Sequence, residues 1–160
     1  MKTKITFLLV LCILMQIPAI GQTKKIAEAN FLKTINDIAA ESRDPHSDSY
    51  YTVKTTTPFR ISKTGILSAT LNYFQIDSIK TIKMTVPIAA ISGISCNGDY
   101  LTLKSSKYKI TTYEENNTTQ LFENQQKKYD FFFGFTSEND KRFWKMLKEL
   151  EKLQKYYKKQ

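Results

Sequence analysis

Histidine and cysteine are almost missing from this chain of 160 residues, which has one of the first and two of the second. A single imidazole, His46, rules out metal centres built on paired histidines and leaves any histidine-dependent catalytic constellation one candidate base. No nucleophile elbow, zinc-protease helix or glycine-rich phosphate loop occurs. The sequence therefore predicts a non-enzyme without cofactor or resident metal. Asp44, His46 and Asp48 alternate in a polar stretch, but three ligands on one such stretch make a poor cage and ordinarily serve as turn formers. Asn116 and Asn117 precede Thr118 and Thr119 in glycosylation-acceptor spacing, and read more simply as a polar hairpin loop.

Long apolar runs are equally scarce. The one that exists, Ile5 to Met15, follows Lys2 and Lys4 and precedes Pro18 and the small-x-small triplet Ala19-Ile20-Gly21. This is the three-part pattern of a secretory signal peptide, residues 1–21, with cleavage near Gly21-Gln22 and export to the periplasm or beyond. The run is too short for a bilayer span of about 20 residues. Cys12 suggests lipid attachment, but Leu11 stands where that processing requires a small residue. After cleavage, Cys96 is the single cysteine, so no disulfide forms within the chain, and it reads as a small strand residue rather than a reactive thiol.

Acidic residues are few toward the C-terminus. Between Lys141 and Gln160 eight basic residues face only Glu149 and Glu151, so this stretch carries most of the chain's formal charge of +9. Phe143, Met146, Leu147, Leu150, Leu153 and Tyr157 recur on one side of a helix, opposite Lys141, Lys145, Lys148, Lys152, Lys155 and Lys159. Ser137 and Asp140 fit a capping box at its start. The lysine face is the candidate contact with an anionic surface; a solvated face that keeps the domain soluble is the simpler reading.

Helical spacing occurs once more, from Lys24 to Ser42, through Ile26, Phe31, Leu32, Ile35, Ile38 and Ala39. The polar stretch SRDPHSDS links it onward, so residues 22–49 form a helix and linker ahead of a β domain at 50–160. From Tyr50 to Phe135 the period is two, broken by Thr64-Gly65, Asp77-Ser78, Pro87 and Asn97-Gly98. Asn97-Gly98 is the strongest hairpin signal. In the last strand Tyr129, Phe131, Phe133 and Phe135 share one face and Asp130, Phe132 and Gly134 the other. The pattern predicts an α+β fold: a seven- or eight-stranded antiparallel barrel or sandwich, capped by the C-terminal amphipathic helix and preceded by an N-terminal one.

A β body of this size closed by one helix containing Trp144, within KRFWKML, resembles the pleckstrin-homology-like (PH-like or GRAM-like) barrel of bacterial exported proteins. VPIAAISGISCNGDYLTLK resembles that family's middle strands. The resemblance implies two sheets capped by the last helix and an exposed strand edge beside it for peptide addition. Arg60, Lys63 and Lys54 are a thin match to the family's phosphoinositide motif. The expected function is an exported, non-catalytic binding or scaffolding domain contacting a protein or peptide. The alternative is peripheral attachment to an anionic membrane or glycan through the lysine face, and nucleic acid is not expected.

Overall fold

The computed structural model describes residues 23–41, 52–75, 78–115, 119 and 121–158. The segment 1–21 expected to be a signal peptide, the stretch with His46, the Asn116–Asn117 pair and Lys159 lie outside the described residues.

The fold is α+β. Helix α1 covers residues 23–41. Eight antiparallel strands follow: β1 Thr52–Ile61, β2 Ile66–Gln75, β3 Ser78–Pro87, β4 Ile91–Asn97, β5 Tyr100–Ser105, β6 Ile110–Glu115, β7 Phe122–Lys128 and β8 Asp130–Phe135. Helix α2, Lys141–Tyr157, ends the described chain. One sheet has the order β1-β2-β3-β6-β7 and the other β4-β5-β8. Of the two β architectures anticipated, barrel and sandwich, the molecule adopts a sandwich-like one, and no hydrogen-bonded ladder joins the sheets among the described residues.

Alternation sorts the side chains. Leu67, Ala69 and Leu71 of β2 and Met84 and Val86 of β3 meet Ile94, Leu101, Leu103, Phe131 and Phe133 of the other sheet in one core. Phe31, Ile35 and Ile38 of α1 and Phe143, Met146, Leu150 and Leu153 of α2 enter the same core. The helices run antiparallel, because Glu28 near the start of α1 meets Tyr157 while Glu41 at its end meets Arg142. Together they cover the side of the sandwich bounded by β1, the β1–β2 turn and the start of β4. Three contacts fix them there. The Asn36 amide donates to the Phe59 carbonyl (3.0 Å) and accepts from its N–H (2.7 Å), as a neighbouring strand would. Gln154 donates to the Ile91 carbonyl. The ring of Tyr157 lies where a Cβ on Gly65 would stand, 2.3 Å from the nearest ring atom.

Several local expectations shift. The tight turn after β4 centres on Gly98 and Asp99, both at positive φ, with Asn97 still paired to Tyr100, one residue later than the Asn-Gly pair suggested. IAAISGIS divides into a 3-10 turn, Ile88–Ala90, and β4. In β8, Phe131 and Phe133 face the core as alternation requires. A register shift opposite Leu101 and Thr102 then turns the strand, so Phe135, still buried, sits outside the main core cluster and packs with Phe132 (5.1 Å between ring centroids) and Tyr100 (5.2 Å). Tyr129 is exposed beside Tyr108 rather than facing inward. Strand β7 is FENQQKK, with no apolar alternation. Its residues are solvated on both sides of the sheet, so pairing with β6 rather than an apolar pattern defines it. Asn124, at φ 51°, occupies the bulge that fits it to β6.

Candidate binding surfaces

Helix α2 is two-sided as its spacing dictates: Phe143, Met146, Leu150, Leu153 and Tyr157 are buried, and Lys141, Lys145, Lys148, Lys152 and Lys155 are exposed. Its cap differs from the anticipated box. Asp140 is itself the N-cap, its carboxylate accepting from the Arg142 N–H at 2.8 Å. Ser137 instead closes the preceding turn, its carbonyl accepting from the Asp140 N–H and its hydroxyl from the Asn139 N–H. A carboxylate cannot be both Ncap and the third residue of the first turn.

At this end the Arg142 guanidinium holds Asp140 with Nη2–Oδ2 at 2.8 Å and also meets Glu41 of α1. Hydrogen bonding from Arg142 keeps the Asp140 carboxyl below its ordinary pKa, with smaller help from the Thr136 hydroxyl. At the other end Tyr157 donates to Glu28 at 2.5 Å and the Lys24 ammonium sits 4.1 Å from its ring centroid. Burial first, and Glu28 second, push the Tyr157 phenol well above its ordinary range. The helix pair is thus clamped at both ends.

At the Tyr157 end a groove of about 580 Å³ lies along the outer seam of the two helices. Ile26, half exposed, with Ala27 and Tyr156 gives it an apolar wall, and Lys152 and Lys155 stand on its rim. Glu149 is buried there and accepts from Lys152 at 2.8 Å. Two residues of the anticipated lysine face therefore edge a groove; Lys141, Lys145 and Lys148 do not line it. Sequence reasoning missed Ile26 as an exposed wall because it continues the apolar stripe of α1.

Trp144 lies off the apolar face of α2. It is 60% exposed, its indole donating to the Glu138 carbonyl at 2.9 Å and its ring edge-on to Phe143. Helical geometry places it beside Lys141 and Lys148, so the basic face does carry an aromatic. Its rotation from the apolar face by about 100° from Phe143 was legible in the spacing. Arg60 and Lys54 lie on β1 and Lys63 in the turn after it, and none of the three lines this groove.

Cys96 is buried and its thiol donates to the Thr136 carbonyl at 3.1 Å. Burial, reinforced by Glu138 and Asp99, pushes its pKa up, so the thiol form is favoured. Among the described residues no three His, Cys, Asp or Glu side chains gather as a metal site, and no helix is long and apolar enough to cross a membrane. Set against protein-family models, curated proteins and solved structures, the chain finds no match.

Proposed function

We propose that this protein is an exported, non-catalytic binding domain that receives an acidic amphipathic segment of a protein partner in the groove between α1 and α2. The groove carries the reading: an apolar wall formed by Ile26 and Tyr156, open to solvent, beside the ammonium groups of Lys152 and Lys155. An amphipathic helix with an acidic flank complements both features, since helix-in-groove recognition pairs apolar anchors with a charged rim. The likeness to PH-like domains is kept as part of this reading, supported by a C-terminal helix seated on packed sheets. The same family likeness directs attention to β4, a sheet edge next to α2, but the groove offers side-chain specificity that a bare edge lacks. Photo-crosslinking from position 26 and from position 155 tests the proposal. One partner segment should be captured from both positions, and Ile26→Glu or Lys155→Glu should release it. A partner captured equally well by both variants excludes the groove.

Attachment to an anionic surface is the second reading, favoured by one observation, the exposed Trp144 among Lys141, Lys145 and Lys148. Aromatic and cationic side chains on one helix face suit the interface of an anionic bilayer. Trp144 is the sole tryptophan, so its emission reports contact directly. Vesicles containing phosphatidylglycerol should blue-shift it at low salt, and Lys145→Glu with Lys148→Glu should abolish the shift. An emission spectrum unchanged by such vesicles removes this reading.

A further inference from the structure

A second cationic centre lies away from both helices, at the corner where the chain passes from β5 in one sheet to β6 in the other. Lys107 and Tyr108 form this corner, and both hold positive φ, 55° and 51°. Bulky residues avoid that backbone, so its presence requires surroundings that impose it. Those surroundings are visible. The Lys109 N–H donates to Ser105 Oγ at 3.2 Å, the Ser106 N–H donates to the Ala90 carbonyl at 3.0 Å, and the Tyr108 ring lies on Tyr129. The corner thereby sets Lys107 and Lys109 beside the outer face of the five-stranded sheet. On that face Thr85, Thr111 and Lys127 are successive cross-strand partners on β3, β6 and β7. The Cβ atoms of such same-face neighbours stand about 4.5–5.5 Å apart, so two threonines and a lysine form one row.

The recess between corner and row measures about 340 Å³, near the lower limit of roughly 300–1,000 Å³ for small-molecule sites. Lys107, Lys109 and Lys127 line it with Thr85 and Thr111 over an apolar floor of Ile66, Val86 and Pro87, and among the described residues no carboxylate does. We propose that this recess binds a phosphate monoester. A compact dianion with three terminal oxygens can accept from three ammonium groups and two hydroxyls at once, where a single carboxylate would leave most of these donors unused. The source is either a small phosphorylated metabolite or the phosphomonoester headgroup of a lipid.

The test is a titration of the full chain, followed by ¹⁵N–¹H spectra, with glycerol 3-phosphate at constant ionic strength. Saturable shifts should centre on Lys107, Lys109, Thr111 and Lys127 and spare α2. Lys109→Gln with Lys127→Gln, both exposed positions, should weaken binding at least about tenfold, since hydrogen bonds to charged groups are the strong ones. In a parallel arm, phosphatidylcholine vesicles with and without phosphatidic acid separate the two sources. Sedimentation that needs phosphatidic acid and is lost in the double variant assigns the lipid headgroup; binding of glycerol 3-phosphate alone assigns the free metabolite. Shifts that never saturate, that spread over the α2 lysines, or that persist unchanged in the double variant overturn the proposal. The wild-type shift map decides the matter even if the double variant fails to fold.

Discussion

Gly65 shows how a single position is constrained from two directions. Its φ of 77° disfavours any side chain, and the Tyr157 ring already occupies the place a Cβ would take. The turn it closes is also bonded on both flanks, with its N–H donating to the Ser62 carbonyl and its carbonyl accepting from the Ile88 N–H. Moving aside would disturb either the start of β2 or the end of α2. Gly65→Ala should therefore destabilise the protein by about 2–4 kcal/mol, combining backbone strain with overpacking. Urea unfolding measures this, and a loss below about 0.5 kcal/mol would mean that Tyr157 swings away freely. Asn36 works in the opposite sense, by supplying what a backbone lacks. Its two bonds to Phe59 satisfy the outer edge of β1 at a residue that is 1% exposed. Asn36→Leu keeps the volume but leaves a buried N–H and carbonyl unpaired, so a loss of about 2–4 kcal/mol is expected. A loss no larger than that of Asn30→Leu on the same helix would show the pairing to be dispensable.

At the level of elements, what the sequence reveals depends on whether side chains or backbone define the element. Both helices and strands β2 and β3 were legible because each buries an apolar face with its own period, 3.6 or 2. β7 was not, because nothing in FENQQKK is buried and only its ladder with β6 makes it a strand. The end of β8 was not legible either, since a bulge set by its partner β5 reversed the alternation at Phe135. The same division applies to function. The lysine row of α2 follows from one segment's spacing, whereas Lys107, Lys109 and Lys127 come together only through strand register. The start of α2 yields a pH test. Hydrogen bonding from Arg142 lowers the Asp140 pKa relative to the unfolded chain, where an aspartate titrates near about 3.9. A folded-state pKa below the unfolded one contributes stability above the unfolded value and loses it as pH falls through the folded value. Asp140→Asn keeps a good N-cap but removes the charge. Its deficit against wild type should be full at pH 7 and shrink progressively below about pH 4, as read from urea midpoints. An equal deficit at pH 7 and pH 3 would assign the effect to something other than the Asp140 carboxylate.

For the whole molecule, the decisive feature is that α1 is not an appendage. Its amphipathic stripe announced that one side must be covered, but no periodicity says by what, and the linker at 42–49 left its partner open. In the fold, Phe31, Ile35 and Ile38 are at most 2% exposed and share a core with both sheets and α2. Each such side chain contributes about 1.5–3 kcal/mol on burial, so the three together rival the roughly 5–15 kcal/mol by which a domain of this size is stable at all. Removing α1 would also unpair Phe59 at the β1 edge, strip Glu41 from Arg142 and erase one wall of the groove. A fragment starting at Tyr50 should consequently lack a cooperative unfolding transition and bind a hydrophobic dye, although it contains all eight strands and α2. Adding a synthetic peptide of residues 22–49 in trans should restore the transition, because the missing contacts are packing and hydrogen bonds rather than covalent ties. If the fragment alone unfolds cooperatively at the urea midpoint of the full chain, α1 contributes nothing to the core, and a partner-binding groove that depends on it cannot stand.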